Sequence, residues 1–437
     1  MRSSMDNFFA RQKRYAARVT QIISHYEKVI LALLAVVIVI SGTFWYRQFA
    51  QNQGTATAGG SYVEGLVGTE RDVQQIATRL TKTGLFTINN DGELENVLVQ
   101  DWRVNPEKTE YFFKLLKEVS KNEILTELQN SLELLGPASV ELTDGDEIAI
   151  KTTKANPNIP LLLTQPLFDY GPYKLNKATG KTTIFSRNPR EGAVRPYLNK
   201  VIVHTYADKA LLQQALDKGK VDGAENENLT VPEGYHLQSF ELSKYYAVIF
   251  NINKSPFRDG AMRRALIDES TVANSPFTLT AADQEPYKGL AEELVKRWQA
   301  LGAQVTLELK PLDEIQDKAG PSRQFQALLT GIDYGAEMDP TYLWHSSQIR
   351  PPGNNFSGIN NDGIDVQIDT LRQLTNVAER TAAIKSLHEA LQREGVAKFL
   401  KQESVSFIAE DTIAVQKPWL AQNASDRYRS IADWYVK

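Results

Sequence analysis

The sequence predicts an α/β fold of two lobes joined by a hinge, preceded by one transmembrane helix. The chain has 437 residues, which is too long for one small hydrophobic core and favours two or three domains. From Ser61 onward, strand-like and helix-like segments alternate along the chain, as they do in α/β proteins. Before that point, Val29 to Tyr46 is an uncharged run of eighteen residues, long enough to cross most of a bilayer core.

The N-terminal region is predicted to be a membrane anchor. Residues 1–28 form a basic segment, which the positive-inside rule places in the cytoplasm. Residues 29–46 then form the transmembrane helix, residues 47–60 form a flexible stalk, and the main body lies on the extracellular or periplasmic side of the cell membrane. The alternative is a cleaved signal peptide, which usually has a shorter leader and a shorter apolar run. The chain contains no cysteine, so the helix itself, and not a lipid on an N-terminal cysteine, is expected to tether the protein.

The first lobe is predicted to cover residues 61–265, with a subdomain near residues 96–164. Gly, Pro, Asn and Asp residues mark its turns, and apolar residues at helical spacing mark its helices. In chain order the predicted elements are the strand SYVEGLVG, a helix at 73–83, strands with turns at 90–92 and 105–106, a helix at 122–135, the strand DEIAIKT, a hairpin around 179–180, and a strand and helix in YLNKVIVHTYADKALLQQALDKGKVDG.

The second lobe is predicted to cover residues 266–403, after which residues 404–437 return to the first lobe. In EPYKGLAEELVKRWQALGAQVTLELKPL, apolar residues at helical spacing predict a helix, and Gly302 ends it before a β-branched strand. These two elements are half of a βαβ crossover, and FQALLTGIDYG is the expected partner strand and loop. Helices follow near 365–374 and 378–393. Because the chain passes between the lobes twice, the sequence predicts a hinge.

Composition and motifs exclude several kinds of function. A formal net charge of -4 and a pI near 5.9 do not predict the basic face of a nucleic-acid-binding protein. The five histidines are scattered without the spacing of metal ligands, and no G-x-S-x-G nucleophile elbow occurs. We therefore predict no metal site, no cofactor and no serine hydrolase of the common α/β type.

The loop GIDYGAEMDPTYLWHSSQ is the best candidate for a functional site. Asp333, Glu337 and Asp339 cluster there beside Tyr334 and Trp344. Paired carboxylates next to aromatic residues are typical of glycosidases. The same residue types also suit the binding of a small polar or peptidic ligand, because the rings bury apolar surface and an acid pairs with a cationic amine. A third interpretation is a solvated acidic loop in which Asp339 starts a turn.

The stretch YYAVIFNINKSPFRDGAMRRALID, residues 245–268, predicts a buried strand that ends abruptly and leads into a helix. Asn251 lies near the end of the apolar run, where an unpaired amide would cost roughly 1–3 kcal/mol. Its amide is therefore expected to bond to backbone at the hinge or to a ligand. Pro256 breaks the strand, and Asp259 is suited to cap the next helix.

This stretch resembles the signature of the extracellular solute-binding proteins of the dipeptide, oligopeptide and nickel class of ABC transporters. In that family an aromatic strand ends in Phe-Asn and is followed by Pro-Phe and an Arg-x-Ala-Leu helix. Other segments resemble the family in chain order: GGSYVEGLVGT, TKTGLFTINNDGELENVLVQDWRV, FDYGPYKL, PYLNKVIVHTYADKALLQQALDKGKVDG, DPTYLWHSSQ with GNNFSGINNDGID, and DRYRSIADWYVK. The chain departs from the pattern in its membrane helix, in SKNEILTEL where a Trp-His-Asp-Gly-like turn is usual, and in a shortened second lobe after RRALID.

The resemblance implies a two-lobed, periplasmic-binding-protein-like fold of the class II type. Its hinge would close around a peptide or similar small solute and present the solute to an ABC transporter permease, without enzymatic activity. The ligand contacts that it implies are Asp333, Tyr334, Glu337 and Asp339, with Trp344 for stacking and Tyr245, Phe250 and Asn251 at the cleft floor. The alternatives are a membrane-tethered hydrolase that uses Asp333, Glu337 and Asp339, and a non-transporting scaffold that retains the fold.

Overall fold

The computed structural model describes residues 58–437, apart from residues 90, 227, 272–274 and 419–420. The predicted basic segment 1–28, the predicted transmembrane helix 29–46 and most of the predicted stalk 47–60 lie outside the described residues and stay predictions. Within residues 58–437, excluding those gaps, no helix combines the length and the hydropathy needed to span a bilayer.

Strands and helices alternate along the described chain, as the sequence predicts. The strands are β1 Ser61–Leu66, β2 Phe86–Ile88, β3 Leu94–Asn96, β4 Val99–Val104, β5 Glu110–Leu115, β6 Ala138–Leu142, β7 Ile148–Thr152, β8 Tyr173–Thr179, β9 Thr182–Arg187, β10 Lys200–Thr205, β11 Gly223–Glu225, β12 Tyr235–Phe250, β13 Pro276–Ala282, β14 Gln304–Lys310, β15 Ala327–Asp333, β16 Ala397–Glu410, β17 Ile413–Ala414 and β18 Tyr435–Val436. The helices are α1 Glu70–Thr81, α2 Lys121–Asn130, α3 Leu132–Leu135, α4 Ile159–Leu162, α5 Lys209–Asp217, α6 Gly260–Ile267, α7 Tyr287–Ala300, α8 Leu312–Glu314, α9 Gly320–Ser322, α10 Thr341–Trp344, α11 Asp362–Gln373 and α12 Val377–Arg393, with a π-helical turn at Ile315–Ala319 and 3₁₀ turns at Ser346–Gln348 and Ala424–Asp433.

Polar caps decide where several helices begin, and these helices start earlier than the apolar spacing predicts. α1 begins directly after Thr69, whose backbone N–H donates to the Asp72 carboxylate at 2.6 Å. α11 begins at Asp362 because the side chain of Asn361 accepts hydrogen bonds from two backbone N–H groups in the first turn of the helix. The single helix predicted for residues 122–135 is instead two helices, α2 and α3, separated at Ser131.

One sheet of ten strands runs through the molecule in the order β14-β13-β15-β12-β16-β11-β1-β10-β9-β8. At one end β13 lies parallel to both β14 and β15, and α7 forms the crossover between β13 and β14. At the other end β1 lies parallel to β10 and β11. A separate four-stranded antiparallel sheet, β4-β5-β7-β6, falls within the span of the predicted subdomain.

Two long antiparallel strands, β12 and β16, connect the two halves of the large sheet. The first part of β12, residues 235–241, pairs with residues 404–410 of β16, and the second part, residues 245–249, pairs with residues 397–402. The register shifts between these two parts, and β15 pairs only with residues 244–250 of β12. The chain therefore passes twice between the two halves of this sheet. The exact lobe boundaries at residues 265/266 and 403/404 stay predictions.

The second part of β12 is buried on both faces, which explains its unbroken apolar sequence. Val248 and Phe250 pack into a core with α7, whereas Ala247 and Ile249 pack into a core with α11 and α12. This alternation follows from the two-residue period of a strand. A third core lies between the four-stranded sheet and α2.

Candidate functional site

Asp333 is the exposed member of the predicted set of ligand contacts. It ends β15, beside the register shift of β12. Its Oδ1 accepts hydrogen bonds from the backbone N–H of Gly335 at 3.0 Å and from the hydroxyl of Ser243 at 3.3 Å. Gly335 has a φ of 74°, a left-handed conformation that glycine adopts without strain. The turn thus holds one carboxylate at the surface near the point where the chain crosses between the sheet halves.

Asp339, in contrast, has its carboxylate fully occupied. Its Oδ2 accepts from Arg372 Nε at 2.9 Å and from Asn158 Nδ2 at 2.8 Å. Its Oδ1 accepts from both the backbone N–H, at 2.9 Å, and the hydroxyl of Thr341. A carboxylate offers about four acceptor positions, and all four are used here. Asp339 is therefore a structural link, and this arrangement gives no support to its predicted use as a catalytic acid or base.

Glu337 is half-buried beside Asp339. Burial raises the pKa of its carboxyl, and the negative charge of Asp339 raises it further. The backbone carbonyl of Glu337 accepts a hydrogen bond from Arg380. The contact predicted between Glu337 and a ligand stays a prediction.

Tyr334 and Trp344 form a buried hydrogen-bonded cluster with His388. Trp344 Nε1 donates to the Tyr334 hydroxyl at 2.9 Å, and that hydroxyl lies 2.8 Å from His388 Nε2. Burial lowers the pKa of His388 to about 3, so its ring is neutral at physiological pH. The half-buried ring of Tyr245 meets the His388 ring edge-on, with centroids 4.7 Å apart. The structure gives these aromatic residues a packing role, and their predicted ligand contacts are untested.

Phe250 and Asn251, at the predicted cleft floor, are also buried. The Phe250 ring lies 4.9 Å from the Phe257 ring, within the core beside α7. Asn251 Nδ2 donates to the backbone carbonyls of Arg323 at 3.0 Å and Phe325 at 3.2 Å. The amide thus finds the backbone partners that its burial requires, in the segment that leads into β15.

Arg380 anchors a seam between the span of the predicted second lobe and that of the first-lobe subdomain. It is fully buried, and its Nη2 donates to the side-chain carbonyl of Asn158 at 2.7 Å. Burial lowers the pKa of Arg380 to about 10, with opposing contributions from Asp339 and Glu337, so it keeps its charge at neutral pH. Asn158 therefore bridges Arg380 and Asp339, which both lie on the other side of the seam.

A second contact along this seam depends on Gly92. Its carbonyl accepts a hydrogen bond of 2.7 Å from the backbone N–H of Val377, at the start of α12. Gly92 has a φ of 76°, and a Cβ atom there would lie 2.9 Å from the backbone nitrogen of Ala378. Only glycine permits so close an approach, so this turn is shaped to dock on α12.

A cavity of about 510 Å³ lies elsewhere, and we call it the Arg429 cavity. Its walls come from the end of α1 and the residues that follow it, the β2–β3 hairpin, positions 164, 166, 172 and 194, and positions 416–418, 428–430, 432 and 433. All these segments lie within the predicted first-lobe span. The volume falls within the range of about 300–1,000 Å³ that is usual for small-molecule pockets. The sequence does not predict this cavity, because no motif or spacing connects segments so distant along the chain.

Two of the residues that line the cavity, Arg79 and Arg429, lie beside Asp426, which is fully buried. Asp426 forms ion pairs with both Arg79 and Arg429. Burial lowers the pKa of Arg79 to about 10, and the neighbouring charge of Arg429 lowers it in the same direction. Arg79 is thus cationic at neutral pH, and the single carboxylate of Asp426 pairs with both guanidinium groups.

Other residues that line the cavity are acidic or apolar. Glu95 and Asp433 are exposed there. Protein surrounds the Asp433 carboxyl on several sides, and this desolvation raises its pKa, as does the charge of Glu95. Val97 and Pro418 supply apolar surface to the cavity. Within the described part of the chain, no group of three or more His, Cys, Asp or Glu side chains is arranged to hold a metal ion.

Comparisons with known proteins connect this fold to solute-binding proteins. No protein-family model and no curated protein matches the chain. Among solved structures, HbpA2 from Haemophilus parasuis matches with a TM-score of 0.71 and 12% sequence identity, over 86% of this chain and 100% of that chain. A nickel ABC transporter structure from Bacillus halodurans gives a TM-score of 0.66 and 15% identity, over 87% of this chain and 100% of that one. The oligopeptide-binding protein AppA from Bacillus subtilis, in complex with a nonapeptide, gives 0.56 and 14%, over 88% and 100%.

At these identities the comparison establishes the fold. It is the mixed α/β fold of periplasmic binding proteins, which confirms that part of the predicted fold class. The similar structures include an oligopeptide-binding protein, an ABC transporter substrate-binding protein and an ABC transporter-associated periplasmic binding protein. The membrane anchor and the shortened second lobe stay predictions.

Proposed function

We propose that the chain is a membrane-anchored, extracellular solute-binding protein that captures a peptide or similar small solute and delivers it to an ABC transporter permease. The observation that carries the proposal is an open cavity of about 510 Å³, with charged and apolar walls, in a fold shared with such proteins. Cavities that combine apolar surface with a few placed polar groups are the usual form of a small-molecule site.

The anchor and the location belong to the same proposal. Residues 29–46 would hold the protein in the membrane with its N-terminus in the cytoplasm. The stalk would let the body reach a permease in the same membrane, and a tethered receptor stays at high local concentration near its partner.

Among the ligand contacts predicted in the turn after β15, we propose chiefly the contact of Asp333 with the solute. Its carboxylate is exposed near the point where the chain passes between the two halves of the sheet. It is suited to pair with the amine of a solute. An exposed ion pair is worth about 0.2–1 kcal/mol, so Asp333→Asn should weaken binding of an amine-bearing solute by about fivefold at most. Contacts through Tyr334, Glu337, Asp339, Trp344, Tyr245, Phe250 or Asn251 would require a more open conformation of the second lobe.

A non-transporting scaffold is the second candidate, and one observation favours it. Asn158 bridges Arg380 and Asp339 through side-chain hydrogen bonds, which join the span of the predicted second lobe to that of the first-lobe subdomain. A body whose parts are joined by such buried hydrogen bonds would be suited to assembly and not to repeated capture and release.

The full chain in detergent, tested by thermal shift against peptide, sugar and metal panels with mass spectrometry of the products, separates these functions. A raised unfolding temperature without turnover, with peptides giving the largest shift, is the expected result. Turnover of any panel member would favour the hydrolase. A flat response across all panels would contradict solute capture and leave the scaffold.

A further inference from the structure

We propose that one face of strands β8, β9 and β10 docks on the surface of an anionic phospholipid bilayer. We call it the lysine face and define it by the exposed side chains of Lys174, Lys177 and Lys200. The inference rests on the membrane anchor in the proposed function. It goes beyond solute capture, because it assigns a partner to a surface that none of the proposed ligand contacts uses.

Positive charge is concentrated in the segment that runs from β8 to β10. Residues 173–205 contain seven Lys and Arg residues and a single acidic residue, Glu191, although the whole chain has a formal net charge of -4. A basic region on an otherwise acidic protein produces a local positive potential, which attracts an anionic surface. The segment therefore has the charge that a surface of anionic lipids requires.

Strand pairing places the three lysines on one side of the sheet. Lys174 lies opposite Ser186 of β9, and Ser186 lies opposite Lys200 of β10. A register shift in β8 puts Lys177 opposite Ile184, which is two residues from Ser186 and thus on the same face. Residues that lie opposite each other on adjacent strands project to the same side. The three ammonium groups therefore project from one face.

The other face of these strands is covered by protein, whereas the lysine face is open. Tyr173, Phe185 and Val201 point away from the lysine face and are buried in a core with residues of α1. On the lysine face, Ile184 and Ile202 pair across β9 and β10 and are only partly buried. Lysine stems can lie along such apolar surface while their charged ends reach a phosphate.

The lysines of this face are available to an external anion. Among the residues that the structure describes, none of the three forms an ion pair with a carboxylate, whereas the exposed Lys288 pairs with Asp283 at 2.9 Å. Each lysine that lies close to an anionic bilayer increases the bound population by about fivefold. Three lysines on one face are thus sufficient for a stable contact when a membrane anchor is also present.

The chain enters the body beside the lysine face. Gly59 donates its backbone N–H to the carbonyl of Tyr197 at 2.9 Å, and Ser61 pairs with Lys200. From β1 the face extends across three strand spacings, which is about 14 Å. A flexible stalk of the predicted length, residues 47–60, would have an r.m.s. span of roughly 20 Å. The predicted anchor would therefore keep this face within reach of the headgroups of its own membrane.

The test places a fluorescent label on the lysine face of the full chain. The chain has no cysteine, so Thr179→Cys provides a single labelling site, and its pairing with Thr182 puts it on the same face. The labelled chain is reconstituted into nanodiscs of phosphatidylcholine, with or without phosphatidylglycerol. A lipid with a spin-labelled headgroup quenches any label that reaches the bilayer surface.

We expect the docked fraction of the label, read from fluorescence lifetimes, to be several-fold larger with phosphatidylglycerol. Raising the salt to about 0.5 M should remove this difference, because it shortens the Debye length to roughly 4 Å.

Lysine variants assign the docking to this face. Lys174→Gln/Lys200→Gln should lower the ratio of docked to free label by at least about fivefold. Lys114→Gln/Lys385→Gln removes the same charge from exposed positions on β5 and α12 and should leave the ratio unchanged. All four lysines are exposed, so neither variant should be prevented from folding. A label at Val366→Cys, a position on α11 that is 63% exposed, should stay unquenched.

Equal docking with and without phosphatidylglycerol would overturn the inference, as would equal effects of the two double variants or equal quenching of the label at position 366. A label at position 179 that stays unquenched in both kinds of nanodisc would overturn it too, and would point to an acidic protein surface as the partner. If the chain still co-elutes with the nanodiscs in these cases, the anchor and solute capture are left standing. If it co-elutes with neither kind, the predicted anchor fails and the inference fails with it, whereas solute capture is decided separately by the thermal shift.

Discussion

The side-chain amide of Asn158 donates a 2.8 Å hydrogen bond to the carboxylate of Asp339, which lies 181 residues later in the chain. The same Asn158 accepts from the fully buried Arg380. One amide thus joins the turn after β15 and helix α12 to a segment of the first-lobe subdomain. The acidic turn that the sequence singled out is in this way part of the joint between the two spans.

We predict that Asn158→Ala destabilises the protein by about 1–3 kcal/mol, because a buried guanidinium and a carboxylate each lose a partner. Urea unfolding followed by tryptophan fluorescence measures the change. Asn176→Ala, which removes an exposed amide from the β8–β9 hairpin, is the matched control and should change stability by less than about 0.5 kcal/mol. Equal effects of the two substitutions would mean that the bridge contributes nothing.

Removing only one partner of the buried ion pair between Glu64 and Arg427 should strongly destabilise the protein. Their side chains are 0% and 3% exposed, and the Tyr62 hydroxyl donates to Glu64 at 2.6 Å. Arg427→Met would leave Glu64 as an uncompensated buried charge, so we expect a loss of about 3–5 kcal/mol in the free energy of unfolding.

The double variant Glu64→Gln/Arg427→Met should recover part of that loss, because the stranded charge is gone. The surface pair of Arg103 and Glu147 provides the comparison, and Arg103→Met should cost no more than about 1 kcal/mol. If Arg427→Met lowered the free energy of unfolding no more than Arg103→Met does, the explanation by an uncompensated buried charge would be wrong.

Asp222 should make the protein less stable as the pH rises from about 4 to 6. Burial raises the pKa of its carboxyl from 3.8 to about 6, and the nearby Glu410 adds to the rise, against a hydrogen bond from the backbone of Val63. The folded chain then holds this proton at a pH where the unfolded chain has lost it, so the contribution to stability is present below about pH 4 and lost by about pH 6.

Asp222→Asn should reduce the loss of unfolding free energy between pH 4 and 6 by on the order of 1–2 kcal/mol. This value is reduced to allow for the partial exposure of the carboxyl group. Unfolding free energies of both proteins at pH 4, 5, 6 and 7 provide the test. Asp217→Asn, at the exposed end of α5, should leave the profile as it is. A parallel pair of profiles for wild type and Asp222→Asn would rule the explanation out.

His388 should produce the opposite slope below pH 6.5. Burial lowers its pKa to about 3. Between pH 6.5 and 3 the imidazole is therefore protonated in the unfolded chain and neutral in the folded chain. Stability is therefore lost as the pH falls, by about 2 kcal/mol between pH 6.5 and 5. His388→Gln should remove most of that loss, whereas His204→Gln, on the partly exposed edge of β10, should retain it. The measurement is again urea unfolding, and an undiminished loss in His388→Gln would refute the assignment.

Local sequence was sufficient to predict the buried strand at residues 245–250 and the hydrogen-bonded side-chain amide of Asn251 that follows it. A strand buried on both faces needs apolar side chains at every position, and β12 has them where it passes between two cores. The expected pairing of Asn251 followed from the cost of burying an amide, and the structure supplies two backbone carbonyls. Helix starts were less accurate, since caps such as Asn361 lie outside the apolar pattern.

The candidate site was harder to predict because its geometry depends on distant residues. The sequence placed Asp333 and Asp339 in one acidic loop, but could not tell that Asp339 is saturated by Arg372, Thr341 and Asn158 while Asp333 stays exposed. The Arg429 cavity has no sequence signature at all. Its walls meet only after residues 79–97 and 416–433 have been brought together by the fold.

Hydrogen–deuterium exchange of the full chain, with and without saturating tri-alanine, tests the central claim most directly. If the solute is captured in the Arg429 cavity, backbone amides in residues 82–97 and 421–433 should exchange several-fold more slowly with the peptide present, since binding lowers the population of locally open states. Unchanged exchange in both segments at a peptide concentration that saturates binding would contradict the account.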